Sequence, residues 1–91
     1  PSVSRAPAVL VDETHPVKAL SDSMRRAGAP LLETVELFDE YRGEHVPAGK
    51  RSLAFRIVYR DPDATLTDAR VNAAHAAVVG AMTETFGATP R

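Results

Sequence analysis

The feature that most constrains the fold is the alternating segment SLAFRIVYR at residues 52–60. Leu53, Phe55, Ile57 and Tyr59 fall on one face of an extended strand, and the other face carries serine, alanine, valine and two arginines. Because successive side chains of a strand point to opposite faces, the pattern predicts one buried face and one face in contact with water. Such strands are typical of antiparallel sheets that are covered on one side only.

The segments around this strand predict the rest of the fold. Before it we expect a strand at Ala8–Asp12, a helix from Pro16 to a stop at Gly28 and Pro30, a second strand in LLETVELFDEY, and a loop at residues 42–51. After it we expect a helix that Thr67 caps and Gly87 ends, and a short last strand in ATPR, which Pro90 confines to a sheet edge.

The order βαββαβ predicts an α+β fold of the ferredoxin-like type, a four-stranded antiparallel sheet with both helices on one face. We expect residues 1–91 to form a single domain. The helices can cover only one side of the sheet, and the other side stays open for binding. Fold alone does not say what binds there.

Composition argues against several classes of function. The absence of cysteine excludes disulfides, thiolate catalysis and cysteine-ligated zinc. The three histidines are scattered without ligand spacing, no glycine-rich phosphate loop follows a strand, and no apolar run approaches the roughly 20 residues of a membrane span. We therefore expect no catalytic residue, metal site, cofactor or membrane partner in this segment. The chain begins at Pro1 rather than at methionine, and we expect it to be a fragment of a longer chain.

The charges are distributed unevenly. The chain has a net charge of −1, yet between Tyr41 and Arg60 it carries five basic side chains against one acid, Glu44: Arg42, Lys50, Arg51, Arg56 and Arg60. A basic hairpin on an acidic body could meet phosphates, and Arg42, Lys50, Arg51 and Arg56 are candidates for contacts to an RNA backbone. A solvated charged loop explains the same count.

The segment LFDEYRG at residues 37–43 is the best candidate for a binding site. The Tyr41 ring could stack on a nucleobase, and Asp39 could accept hydrogen bonds from the N1–H and N2–H₂ groups of guanine. Ser52 begins the partner strand and could add a hydroxyl contact. The alternative is that Tyr41 only caps the rim of the core. Asp39 and Tyr41 share the strand parity of Val35 and Leu37, which should be buried, so a bulge or twist near Phe38 is required.

The chain resembles the C-terminal ferredoxin-fold anticodon-binding domain of the bacterial phenylalanyl-tRNA synthetase beta subunit. The resemblance covers essentially the whole chain and is densest over residues 31–72. It is carried by Leu37–Phe38–Asp39, Tyr41, Gly43, Pro47, Gly49, Arg51–Ser52–Leu53–Ala54–Phe55, Arg60, Pro62–Asp63, Thr65–Leu66–Thr67–Asp68, Val71, Gly87–Ala88 and Arg91.

The resemblance implies a role in recognising the anticodon of phenylalanine tRNA. It implies base stacking by Tyr41, hydrogen bonding by Asp39 and Ser52, and a small residue, Ala8, against the first anticodon base. It also implies a cytoplasmic (αβ)₂ parent ligase that uses ATP and magnesium, whose catalysis belongs to the alpha subunit and whose beta subunit has other domains, one with an editing site.

Three positions depart from the family pattern. Residues 5–7 read Arg5–Ala6–Pro7 where the family usually has Arg-Asp and a large apolar residue, Arg51 replaces a common lysine, and Pro90 could weaken the last strand.

The alternative functions are a ferredoxin-like module that binds a small metabolite and a structural docking domain.

Overall fold

The computed structural model describes all residues, 1–91, and contains five strands and two helices. In chain order these are β1 (Val3–Arg5), β2 (Ala8–Asp12), α1 (Val17–Gly28), β3 (Leu32–Tyr41), β4 (Lys50–Tyr59), α2 (Asp68–Phe86) and β5 (Thr89–Pro90). Neither helix combines the length and apolar character needed to cross a membrane.

Strand β4 is the central strand of an antiparallel sheet. It pairs with β3 on one side and with β1 and β2 on the other, and β5 pairs with β2 at the edge. The order β5–β2–β4–β3, connected through two helices, is the ferredoxin-like topology, and this prediction is confirmed. The edge position expected for Pro90 is also confirmed, since β5 pairs only with β2.

Strands β1 and β2 are two parts of one line of pairing along β4. Arg5 lies opposite Ile57 and Ala8 lies opposite Ala54, so the register does not shift across the gap between them. The interruption falls at Ala6 and Pro7, where the sequence departs from the family pattern, and proline has no N–H to give to the ladder. The sequence predicted only the part from Ala8 onward, and the structure adds Val3–Arg5.

The predicted loop at residues 42–51 is two residues too long at its end. Lys50 and Arg51 belong to β4, where they pair with Asp12 and Val11 of β2. Glycine and proline marked the loop correctly, but two charged residues before Ser52 gave no strand signal. Cross-strand pairing with β2 decides their conformation.

The core lies between the sheet and the helices. Leu53, Phe55, Ile57 and Tyr59 of β4 are fully buried there, together with apolar residues from other parts of the chain: Val9, Val11, Leu20, Met24, Leu31, Val71, Val78, Met82 and Ala88. Thr67 caps α2 by accepting a hydrogen bond from the Arg70 backbone N–H at 3.3 Å, as predicted. Gly87 ends the helix with a φ of 65°, in the left-handed region that favours glycine.

One polar contact lies at the edge of this core. The Tyr59 hydroxyl and His75 Nδ1 are 2.8 Å apart, and the two rings meet edge to face. Burial raises the pKa of Tyr59 to about 12, against an opposing effect of Arg5, so the phenol stays protonated at neutral pH. Burial, and then the charge of Arg5, lower the pKa of His75 below its ordinary value of 6.5. Protonation of His75 is therefore disfavoured in the folded state.

We predict that the fold loses stability through His75 as the pH falls below 6.5. A base whose pKa is lower in the folded state binds protons more tightly when unfolded, so its stabilisation is complete above the unfolded pKa and decreases below it. The measurement is the free energy of unfolding in urea at about pH 7.5 and about pH 5.5 for the wild type and for His75→Gln. The wild type should lose more stability than the variant, and equal losses would contradict the prediction. The carboxylates whose pKa is lowered by folding lose their contribution to stability mainly below their ordinary pKa values of 3.8 to 4.5, outside the pH range of this comparison.

Candidate nucleic-acid interface

The open side of the sheet brings the four predicted base-binding residues together. Directly opposed residues of an antiparallel pair share a face, so the register across β2, β4 and β3 defines two neighbouring rows. One row is Ala8, Ala54 and Asp39, and the next is Leu10, Ser52 and Tyr41. None of these side chains is on the side that the helices cover. Because two of its three side chains are the methyl groups of Ala8 and Ala54, the first row is low and flat next to Asp39.

A register shift at Phe38 turns Asp39 and Tyr41 toward the open side. Leu37 lies opposite the buried Phe55, but the next paired residue on β3 is Asp39, opposite Ala54. The extra residue reverses the parity of the strand end. The irregularity predicted near Phe38 is therefore confirmed, and it reconciles a buried Leu37 with an exposed Asp39.

Tyr41 presents an exposed aromatic ring at the end of β3. Its side chain is 37% exposed, and it is one of two exposed large apolar side chains, with Phe38 at 47%. Gly43 has a φ of 132°, a backbone conformation that requires glycine, and a Cβ at this position would lie 3.2 Å from the Tyr41 hydroxyl. Gly43 therefore lets the chain leave the strand close to the ring.

Asp39 is the unpaired acid of β3. The other three acids of the strand form ion pairs: Glu33 with Arg60 at 3.0 Å, Glu36 with Arg56 at 3.5 Å, and Glu40 with Arg42 and Arg51 at 3.1 Å each. The Asp39 side chain is exposed and makes no ion pair within the chain. Both of its carboxylate oxygens are available to an external donor.

Ser52 is located in the predicted site but covered. It is 3% exposed, and its hydroxyl oxygen accepts a hydrogen bond from Arg91 Nη1 at 3.2 Å. The Arg91 guanidinium carbon lies 4.9 Å from the centre of the Tyr41 ring. The sequence showed Arg91 only as part of the C-terminal pattern, and no local signal placed it beside β3.

The basic residues do not form a free positive patch. Arg42 is exposed but pairs with Glu13 at 2.7 Å and with Glu40. Arg51 alternates with Ser52 and lies on the opposite, helix-covered side, where its side chain is 11% exposed and its Nη2 donates to the His15 carbonyl at 2.7 Å. The structure therefore does not bring Arg51 onto the open face with the other candidates.

Lys50 and Arg56 do share the face of Ser52. Lys50 is partly exposed, lies opposite Asp12 and has no ion-pair partner. Arg56 lies with its guanidinium carbon 4.7 Å from the centre of the Phe38 ring. Phe38, which sequence reasoning used only to locate the bulge, thus becomes a second exposed aromatic covered by an arginine. The sequence indicated this position only indirectly: Asp39 shares the strand parity of the buried Leu37, so the residue between them had to interrupt the regular alternation.

The chain resembles known proteins over its whole length. The sequence model of the ferredoxin-fold anticodon binding domain matches residues 1–91. The chain belongs to this family. It is 47% identical over 91 residues to the phenylalanine–tRNA ligase beta subunit of Geobacillus kaustophilus, covering 100% of this chain and 11% of that protein. The corresponding subunit of Moorella thermoacetica gives the same identity and coverage. That of Trichormus variabilis is 55% identical over 75 residues, which are 82% of this chain and 9% of the relative.

The family assignment confirms the resemblance drawn from the sequence motifs. This anticodon-binding domain spans about a tenth of the length of the relatives it matches. The relatives are named as beta subunits of a phenylalanine–tRNA ligase.

We predict that Glu40→Gln lowers the thermal stability of the domain more than Glu44→Gln. Hydrogen bonds from Arg51 and then Arg42 hold the pKa of Glu40 below its ordinary value, so its charge is part of the folded structure. Removing that charge leaves the largely buried Arg51 guanidinium without its counter-ion. Glu44 lies in the same region of the chain, is exposed and has no ion-pair partner, so it is the matched control. Equal unfolding midpoints for the two variants would show that Arg51 does not depend on Glu40.

Proposed function

We propose that this chain is the anticodon-recognition module of a phenylalanine–tRNA ligase beta subunit and that it binds tRNA on the open side of its sheet. The observation that carries the proposal is the juxtaposition of the exposed Tyr41 ring with the unpaired Asp39 carboxylate. The two residues lie in adjacent rows, on a face that no helix covers. Family membership and the names of the relatives support the RNA partner.

The mechanism follows from the chemistry of unpaired bases. Sequence-specific RNA recognition uses loop bases that are splayed out, stacked on aromatic rings and hydrogen-bonded along their edges. A base that stacks on Tyr41 meets Asp39 with its edge. Guanine offers the carboxylate two donors, N1–H and N2–H₂, whereas the N1 of adenine is an acceptor that the carboxylate repels. Asp39 therefore selects guanine at the first anticodon position.

The surroundings of these two residues suit a flat ligand. Ala8 and Ala54 are partly exposed and keep the first row low, so that a base can approach the sheet. We propose that Ser52, which lies on the sheet beneath the bound base, contributes a hydrogen bond. Its hydroxyl accepts from Arg91 and still has its own O–H to donate. Of the basic residues, Lys50, Arg56 and Arg42 are on the open face or exposed and are the proposed contacts to the RNA backbone.

Amino-acid activation is proposed to take place elsewhere in the parent enzyme, in its alpha subunit. The parent reaction uses ATP and magnesium, but the donor set of this chain does not fit them. No three histidine or acidic side chains converge, and most acids of β3 are neutralised by arginines. The module's contribution is to bind and orient the tRNA. Its partners would be the anticodon, the other beta-subunit domains and the alpha subunit of an (αβ)₂ assembly.

The decisive experiment is a titration of the 91-residue chain with anticodon stem-loops that differ only in the first anticodon base. We expect the guanine stem-loop to bind more tightly than the adenine stem-loop at low salt, where backbone attraction is strongest. Binding of a free amino acid or nucleotide without binding of either RNA would favour the metabolite-binding alternative. Failure of all these ligands would favour a docking domain.

The space between sheet and helices is filled by fully buried apolar side chains, which favours the open face as the binding surface.

We predict that Tyr41→Ala weakens binding of the guanine stem-loop about 5- to 150-fold, the equivalent of the roughly 1–3 kcal/mol of one base–aromatic stack. Tyr41→Phe keeps the ring and should bind nearly as well as the wild type. In the parent ligase, Tyr41→Ala should reduce tRNA affinity and leave activation of the amino acid by ATP intact. Loss of activation with normal tRNA binding would contradict the proposed role.

We predict that Asp39→Asn reduces the preference for guanine over adenine at the first position by about tenfold, because charge-assisted hydrogen bonds contribute roughly 1.5–3 kcal/mol. The measurement is the ratio of the two dissociation constants, which cancels changes that affect both RNAs equally. Asp63→Asn removes the same charge from an exposed turn away from the site and is the matched control. An unchanged ratio for Asp39→Asn would remove Asp39 from the recognition mechanism.

A further inference from the structure

We propose that Arg91 is a positioning residue for the RNA site: its guanidinium backs one face of the Tyr41 ring and leaves the other face to a nucleobase. The inference rests on the proposed function and adds to it a residue that the site did not include. It also assigns a role to the short strand β5, which carries Arg91 to the open face.

The first step is that Arg91 is fixed from both ends. Its backbone N–H donates to the Ala8 carbonyl at 2.9 Å, which extends the pairing of β5 with β2 by one residue. Its Nη1 donates to the Ser52 hydroxyl at 3.2 Å. The side chain therefore crosses β2 and ends above β4, between the last strand and the aromatic ring on β3.

The second step is that Arg91 contacts three of the predicted base-binding positions, one through its backbone and two through its side chain. The Ala8 carbonyl accepts from the Arg91 backbone N–H, the Ser52 hydroxyl accepts from one guanidinium nitrogen, and the guanidinium carbon lies over the Tyr41 ring, 4.9 Å from the ring centre. An arginine at this distance is attracted to the ring by a cation–π interaction. Ser52 faces the open side of β4, and this contact contributes to covering it.

The third step concerns the two faces of the ring. An aromatic ring has only two faces, and Arg91 occupies one of them, while Tyr41 remains 37% exposed. A base must then stack on the other face, so that the ring lies between the guanidinium and the base. Holding an exposed ring in one orientation before binding reduces the ordering cost of association.

The alternative role for Arg91 is a direct contact with an RNA phosphate, and the two roles differ in their salt dependence. Loss of one phosphate contact reduces the slope of log K against log salt by about 0.7 for single-stranded nucleic acid. Loss of a contact that only orients Tyr41 leaves this slope unchanged. The two roles also differ in coupling, because a positioning residue has no effect once the ring is gone.

The test uses the 91-residue chain and four variants: Arg91→Ala, Arg91→Lys, Tyr41→Ala and the Tyr41→Ala/Arg91→Ala double variant. Each is titrated with the guanine and adenine stem-loops at several salt concentrations, and its folding is checked by thermal unfolding. Arg26→Ala is the matched control, because it removes one exposed arginine of α1 that has no ion pair and lies on the helix side. If Arg91→Ala does not fold, Arg91→Lys supplies the same comparison.

We expect Arg91→Ala to weaken guanine stem-loop binding about two- to fivefold, the magnitude of an exposed cation–π contact, with an unchanged salt slope. In the Tyr41→Ala background it should have no further effect. Arg91→Lys keeps the charge but lacks the planar guanidinium, and should restore binding only in part. The NMR signals of the Tyr41 ring in the RNA-free protein should shift in Arg91→Ala.

Three results would overturn the inference. If Tyr41→Ala loses affinity while Arg91→Ala does not, the ring needs no support and only the role of Arg91 fails. If Arg91→Ala weakens binding equally with and without Tyr41 and lowers the salt slope, Arg91 contacts a phosphate instead. If neither single variant changes binding of either stem-loop, the proposed function itself fails, and the role of Arg91 fails with it.

Discussion

The alternation of β4 divides the molecule into a dry side and an open side, and every other feature depends on that division. Leu53, Phe55, Ile57 and Tyr59 are completely buried beneath the helices. Because β4 also pairs with both neighbouring strands, its parity fixes which residues of β2 and β3 face the same way. The open face is therefore a direct consequence of burying four large apolar side chains on one strand.

β3 departs from this parity twice, between Leu32 and Thr34 and at Phe38, and the bulge at Phe38 coincides with the proposed site. Without the extra residue, Asp39 and Tyr41 would point toward the helices, because they alternate with the inward-facing Leu37. Such irregularities commonly occur where a strand has to redirect a side chain for function. The conflict was visible in the sequence, since an acid shared its parity with apolar residues. A local rule that fails beside a candidate ligand-binding residue is thus informative in itself.

The elements of the fold could be predicted because their signals are local. Alternation defined β4, Thr67 and Gly87 defined the ends of α2, and Pro90 placed β5 at an edge. The first strand was only half predicted, because Pro7 interrupts the pattern while the register continues through it. The start of β4 is set by pairing with β2, and the residue types of Lys50 and Arg51 do not predict this pairing.

The candidate site could be predicted only in part, because some of its contacts join distant parts of the chain. Tyr41 and Asp39 were found from one short segment. The neutralisation of the basic hairpin was missed, since a count along residues 41–60 leaves out the acids of β3 that pair with its arginines. Arg91 was missed as a site residue because its contacts to Ser52 and Tyr41 depend on the order of strands in the sheet, not on sequence neighbours.

The self-compensation of charge has a consequence for the proposed recognition. With a net charge of −1 and all four arginines of the hairpin in ion pairs, the domain offers little long-range attraction to a polyanion. The proposed selectivity then rests on short-range stacking and edge hydrogen bonds, which discriminate between bases but supply modest affinity. A module of this kind is effective when other contacts raise the local concentration of its target. The chain spans only about a tenth of the length of the relatives it matches, and the proposal therefore requires that contacts outside this domain contribute to the affinity for the tRNA.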